Sequence, residues 1–220
     1  MKDDQLHLLG TLGQFGFVLA AAALVYGFVG GTREGEMRRR CAPSCLLRPA
    51  YMSATRKAPV FELEDLQGGR FRLESLRGKV VVLNFWTKTC RPCLDEMPSL
   101  AEFARLMRKR TDVAVVTVST DEDRREAFDV LRGLLTEPPV FLVLFDGKGD
   151  VVRGKYGTRL FPETWVIDAQ GVIRARFDGA RDWTEPVFIE FIEQVRSGGY
   201  CPIEMQAGQV SGPLAKLCEG

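Results

Sequence analysis

Apolar positions along this chain follow three different patterns. From Leu8 to Gly31 the sequence reads LLGTLGQFGFVLAAAALVYGFVGG, 24 residues without a charge. About 20 such residues suffice for a helix to cross a bilayer. The run is longer than the ~7–15 residues of a secretory signal core, so it reads as an anchor. A cleaved signal is the alternative, because Ala20 to Ala23 supply small residues after an apolar run. Residues 32–57 mix charge, Pro and Ser with no sustained period and read as a tether.

From residue 58 the pattern becomes that of alternating strands and helices. Val60–Leu63 and Arg70–Leu73 alternate around Gly68-Gly69, as a hairpin does. Val80–Phe85 is a continuous β-branched and aromatic run, expected of a strand covered on both faces. Arg91 to Arg110 carries Met97, Leu100, Ala101, Ala104 and Met107 at helical spacing, with Pro98 expected to kink its first part. Val113–Val118 predicts a second buried strand, and Asp121 to Leu135 a second helix with an acidic first turn. Phe141–Phe145, Thr164–Ile167 and Val172–Phe177 predict three more strands, the last two joined by the turn Asp168-Ala169-Gln170-Gly171; Thr184 to Val195 predicts a closing helix. That order gives an α/β domain with a mixed sheet over residues 58–197, preceded by the anchor (1–31) and tether (32–57) and followed by an extension (198–220).

Composition narrows the chemistry. Thirty Lys and Arg against 29 Asp and Glu leave a net charge of +1, with no basic field to gather nucleic acid. The single histidine, His7, lies near the N-terminus, which argues against a Ser–His–Asp triad, a Cys–His nucleophile or a histidine zinc site. Six cysteines remain as the unusual resource.

Cys90-Arg91-Pro92-Cys93 lies where a buried strand ends and a helix begins. There the first sulfur meets the unpaired N–H groups and positive dipole of a helix N-terminus, which favour thiolate over thiol. The second cysteine, one turn on, is placed to resolve a mixed disulfide, and Pro92 suits a first helical turn. Arg91 adds a cation expected beside the sulfurs. An all-cysteine zinc site borrowing Cys41 and Cys45 is the bland alternative; tetrahedral zinc needs four ligands, and a redox pair is preferred at a strand-to-helix junction.

These motifs, in order, resemble the membrane-anchored thioredoxin-like oxidoreductases of the TlpA/ResA type. The resemblance rests on Ala58-Pro59-Val60-Phe61-Glu62-Leu63, Ser75-Leu76-Arg77-Gly78-Lys79 before the VVVLNFW strand, Cys90-Arg91-Pro92-Cys93, Glu96 and Pro98. Tyr156-Gly157, Phe161 to Asp168 and Gly171 extend it. It implies a thioredoxin-like fold, a mixed sheet flanked by helices, behind one N-terminal transmembrane helix. It also implies that Cys90 attacks and Cys93 resolves, and that Pro162 is a cis-proline facing them. Phe161 would then turn its backbone towards the sulfurs, where a substrate segment adds by strand pairing. Glu96 matches an acidic residue that handles a proton in some members, a solvated first-turn Glu being the alternative. Trp86 matches the family's strand-end Trp and reads as core packing. The chain departs from many relatives in having Thr89 where Trp is common before the first cysteine, and Phe161-Pro162 in place of Gly-Pro or Leu-Pro. Both put substrate choice and redox poise in question.

The partners implied are a disulfide-containing protein substrate and a membrane or periplasmic thiol donor. Apocytochrome c, with its C-x-x-C-H, is a candidate target, and no metal or cofactor is called for. Two alternatives stand beside this reading. A peroxiredoxin-like peroxidase is hinted at by Thr87-Lys88-Thr89-Cys90, although Leu83 occupies the place of that motif's Pro. A non-catalytic anchored assembly module is the other. A copper-delivery relative would need C-x-x-x-C and a domain histidine, and residues 58–197 contain no His. The family's domain stands on the outer side of a bacterial cytoplasmic membrane, and six cysteines agree; Arg33 and Arg38–Arg40, after the apolar run, argue the other way. Arg40 before Cys41 argues against lipid modification there. Cys41, Cys45, Cys201 and Cys218 allow three pairings, and proximity favours a Cys201–Cys218 bridge.

Overall fold

The computed structural model describes residues 2–212 and 214–219, with side chains from residue 16 onward. His7 and the first part of the apolar run therefore lie outside the described side chains.

One long helix, α1 (Lys2–Leu47), carries the apolar run. Within Gly16–Leu47 it is long and apolar enough, by length and composition, to cross a membrane. The chain divides into two compact units, Met1–Arg39 and Arg40–Gly220. The segment expected as a tether is thus helical as far as Leu47, and its last two turns belong to the second unit. The helix ends where Arg48 takes a positive φ of 44° just before Pro49, while its N–H still reaches Ser44 O at 3.1 Å. A left-handed residue followed by proline is a common helix stop.

The second unit is built on one ten-stranded sheet of order β10-β9-β1-β8-β7-β4-β5-β6-β2-β3. The strands are β1 (Tyr51–Met52), β2 (Glu62–Asp65), β3 (Arg70–Arg72), β4 (Val80–Trp86), β5 (Val113–Ser119), β6 (Leu142–Phe145), β7 (Glu163–Ile167), β8 (Ile173–Asp178), β9 (Glu204–Gln206) and β10 (Gln209–Ser211). β5 runs parallel to β4 and to β6, and the other pairings are antiparallel, so the sheet is mixed as expected. Helices α2 (Arg91–Met107), α3 (Arg124–Leu134) and α4 (Pro186–Arg196) complete the unit. α2 runs through Pro98.

All seven residues of β4 are buried, as its unbroken apolar run requires. Val81, Leu83 and Phe85 join a cluster with Phe61, Val116, Val118, Tyr156, Trp165 and Ile167. There Tyr156 meets Phe85 and Trp165 edge-on, at centroid distances of 5.0 and 5.4 Å. The alternate residues, including Asn84, point to the opposite face, where α4 packs on β4 and α2 on β5. An aromatic group of Phe177, Trp183, Phe188 and Phe191 fills the space beneath α4.

Sheet and cysteines both extend beyond residues 58–197. β1 from the tether pairs with β8, and the β9–β10 hairpin from the C-terminal extension pairs with β1. The bridge expected between Cys201 and Cys218 does not form. Cys41 is bonded to Cys201 and Cys45 to Cys218, across 160 and 173 residues of sequence. The reason is helical geometry. Cys41 and Cys45 stand one turn apart on the same face of α1, and the extension runs alongside to meet both. That arrangement also commits Cys41 and Cys45 to sulfur partners other than Cys90 and Cys93.

A buried ion pair ties these added segments to the core. Asp168 accepts from Gln170 N at 2.9 Å, Val172 N at 2.8 Å and Arg174 Nε at 2.7 Å. Arg174 also donates to Ala54 O at 3.1 Å, and its guanidinium lies 3.6 Å from the centre of the Tyr200 ring.

Candidate active site

Cys90 sits at the N-cap of α2 with extended backbone angles, and its Sγ accepts the N–H of Cys93 at 3.2 Å. The sulfur occupies the place of a capping oxygen, at the positive end of a 17-residue helix. Pro92 falls in the first turn, where its missing N–H leaves no bond unmade. Cys90 and Cys93 are joined as a disulfide. Cys90 is half-buried and Cys93 fully buried, so an incoming thiol or disulfide meets Cys90 first. The guanidinium of Arg91 pairs with Asp95, one helical turn on, at 2.9 Å, and both side chains are exposed. An i,i+4 pair of this kind lies along the exposed helix surface.

The segment between β4 and α2 is held from below by Asp121. This carboxylate accepts from Thr87 Oγ1 at 2.7 Å, Lys88 N at 2.8 Å and Ser119 Oγ at 2.8 Å, while Cys90 N reaches back to Thr87 O at 3.1 Å. Asp121, expected in the first turn of a helix, instead precedes α3, which Asp123 caps through Arg125 N and Glu126 N.

Phe161-Pro162 is a cis peptide bond. Register places it near the cysteines: β4 and β7 are antiparallel with Phe85 opposite Glu163, so the segment leaving β4 and the segment entering β7 lie at the same end of the sheet. Pro162 is buried, Phe161 half-buried and Leu160, at 83% exposure, stands out on the rim. Glu163, next in sequence, is buried and accepts from Trp165 Nε1 at 2.7 Å and from Thr158 Oγ1. Burial pushes its carboxyl above the usual range.

Glu96, one turn beyond Cys93, is only 2% exposed and not a solvated first-turn residue. Asn84 Nδ2 donates to Oε1 at 2.8 Å, while Arg181 N and Trp183 Nε1 donate to Oε2 at 3.0 and 3.3 Å. Burial drives its pKa up to about 7, against the pull of those three donors and of the Arg181 charge. Asn84, Thr164, Arg181 and Trp183 were not singled out from the sequence. The signal was one amide in the otherwise apolar VVVLNFW, since a buried amide in a strand needs partners.

Comparisons with known proteins agree with this geometry. A profile of the AhpC/TSA family matches residues 54–176. Thiol-disulfide oxidoreductase ResA of Geobacillus thermodenitrificans is 35% identical over 123 residues, covering 56% of this chain and 67% of that protein. Thioredoxin-like protein YneN of Bacillus subtilis is 34% identical over 119 residues, covering 54% and 67%. Among solved structures, a Chlorobium tepidum protein described as a candidate thiol:disulfide interchange protein DsbE superposes with a TM-score of 0.55 at 28% identity, covering 67% of this chain and 98% of that one. A secreted Mycobacterium tuberculosis disulfide oxidoreductase homologous to Escherichia coli DsbE gives 0.51 at 26%, covering 62% and 95%.

Proposed function

We propose that this chain, which belongs to the AhpC/TSA family and is a thiol–disulfide oxidoreductase, reduces disulfides in extracytoplasmic partner proteins through Cys90 and Cys93. The observation that carries this is the partly accessible Cys90 at the N-cap of α2, bonded to a Cys93 that is fully buried. In the reduced protein, Cys90 thiolate attacks a partner disulfide, forming a mixed disulfide and expelling one partner thiolate. Cys93 thiolate then attacks Cys90 Sγ, expels the second partner sulfur and leaves Cys90–Cys93 oxidised. Two electrons pass to the partner, and a thiol donor at the membrane restores the dithiol. Glu96, buried one turn from Cys93, is the nearby carboxyl suited to exchange a proton during this cycle.

The docking edge is formed by Phe161 and Pro162, with Leu160 offered to an apolar side chain of the partner. The C-x-x-C-H segment of an apocytochrome c is the first substrate to try. Two cross-links far from the C-x-x-C support placing the folded unit on the oxidising side of the membrane, held by an uncleaved α1, despite Arg33 and Arg38–Arg40.

The test uses the full chain in detergent micelles with a disulfide-bonded C-x-x-C-H peptide. Cys90→Ser abolishes reduction, and Cys93→Ser accumulates a mixed disulfide visible by mass. Undiminished turnover in Cys90→Ser overturns the reading.

A further inference from the structure

The hydrogen bonds around Glu96 are complete for a carboxylate and incomplete for a carboxylic acid. Oε2 is filled by two N–H donors, Arg181 N and Trp183 Nε1, neither of which accepts a proton. A proton added to Glu96 therefore belongs on Oε1, whose partner is Asn84 Nδ2, again a donor. As the side chain stands, that proton faces an N–H and has no acceptor. Asn84 carries the remedy on its other end. Among the described residues, Asn84 Oδ1 is buried without a hydrogen-bond partner, the kind of group that native interiors seldom leave unmade.

We infer that the Asn84 amide turns over with the protonation of Glu96, so that Asn84 is the positioning residue that lets this buried carboxyl gain and lose its proton. With Glu96 ionised, Nδ2 donates to Glu96 Oε1 and to Thr164 Oγ1, at 2.8 and 2.9 Å. With Glu96 protonated, a half-turn about Cβ–Cγ brings Oδ1 to the same place, where it accepts the Glu96 O–H. The Thr164 hydroxyl rotates from acceptor to donor and keeps its bond. The two ends of an amide differ little in shape, so neither state disturbs the packing, and a hydroxyl serves either role; the half-turn moves Nδ2 into the buried place Oδ1 leaves, a cost that weights the balance towards the ionised state. A fixed donor such as Arg or Lys at residue 84 would hold only the ionised state, and a fixed acceptor only the protonated one.

The groups that face Glu96 fit this assignment. β4 presents Asn84 and β7 presents Thr164, opposite each other in register and both uncharged. The loop between β8 and α4 supplies Arg181, whose charge pulls the carboxyl pKa down, and Trp183. On α2 itself, Cys93 is three residues earlier and shares the face. The value near 7 keeps both states in use at working pH.

This inference rests on the proposed exchange only in giving the Glu96 proton a destination, and its test needs no turnover. In the full chain in micelles, labelled for ¹³C and ¹⁵N, Glu96 Cδ is followed from pH 5 to 9 and assigned by its loss in Glu96→Gln. NOE cross-peaks from the Asn84 side-chain amide protons to Glu96 Hγ are expected above the midpoint. Below it they should fall at least fivefold, with the same midpoint as Cδ. Glu96→Gln should hold a single set throughout. Asn84→Leu should raise the Glu96 midpoint by up to about one pH unit, because a hydrogen bond to a charged group is worth more than one to its neutral form. Cross-peaks unchanged across the Glu96 titration overturn the inference, and this wild-type measurement stands even if Asn84→Leu fails to fold. An unmoved midpoint in a folded Asn84→Leu protein also overturns it. Full turnover in Cys90→Ser removes the proposed function and leaves the amide result standing.

Discussion

Replacing Glu96 by Gln gives a direct measure of what burying this carboxyl does to the fold. An unperturbed Glu titrates near 4.5, whereas burial beneath α2 lifts Glu96 to about 7. The folded state therefore holds this proton more tightly than the unfolded chain does. Its contribution is present in full below about pH 4.5 and is lost as pH rises through about 7. The rise from 4.5 to about 7 corresponds to about 3 kcal/mol of stability lost between those limits. Gln, which does not titrate, loses none of it. It also fits the site: its carbonyl accepts from Arg181 N and Trp183 Nε1, and its Nε2 donates to Asn84 Oδ1. The assay is denaturant unfolding of the oxidised full chain in micelles at pH 5 and pH 8.5, followed by tryptophan fluorescence. Other groups titrate too, so the informative quantity is the difference between wild type and Glu96→Gln at each pH. That difference should shift by about 2.5 kcal/mol in favour of the variant at the higher pH, because at pH 5 the unfolded chain is already mostly ionised. Parallel curves, differing by the same amount at both pH values, would refute the account of Glu96 as a buried group with a raised pKa.

Other expectations concern the scaffold around the site. Peptide mapping without reductant should recover peptides joined as Cys41–Cys201 and Cys45–Cys218, and Cys201→Ser should lower unfolding stability by about 2–5 kcal/mol, as loss of a native cross-link generally does. Arg174→Met leaves Asp168 buried without its cation, and thermal unfolding should report a loss of about 3–5 kcal/mol, largely recovered when Asp168 is replaced by Asn as well. Asp121→Ala strips two hydrogen bonds from the segment before Cys90 and a third from Ser119 at the end of β5; a loss of about 1–3 kcal/mol and a changed Cys90–Cys93 reduction potential, read by redox titration, are expected.

Much of the central sheet was legible because its strands are long and uniformly apolar. VVVLNFW has no competing reading, and the turn Asp168-Ala169-Gln170-Gly171 forms as its residues imply, with Gly171 at a φ of 74°. The redox pair was legible because a cysteine at the junction of a buried strand and a helix leaves few alternatives. The peripheral strands were not. β1 has two residues and β9 and β10 three each, too short for a period of two to emerge from their neighbours. The helical turns after Gly31 were hidden by Pro43 and by charged residues that carry no apolar stripe. Cysteine pairing depends on which segments meet in space, so closeness in sequence misled. Glu96 shows a similar limit. The family resemblance marked it, but a first-turn Glu is equally at home in water, and only the loop bearing Arg181 and Trp183 closes over it.

The two distant cross-links set a timetable for making this protein. Cys41 and Cys45 leave the ribosome 160 and 173 residues ahead of their partners. At roughly 5–20 residues per second, that interval is on the order of 10–35 s. Cys90 and Cys93 emerge within it, so four thiols share the nascent chain before either distant partner exists. Early oxidation would join near neighbours, and reaching the final arrangement then requires those bonds to be exchanged. Wherever such early bonds form, maturation of this oxidoreductase draws on the same sulfur chemistry that its finished active site performs, supplied by another catalyst or by an earlier copy of itself.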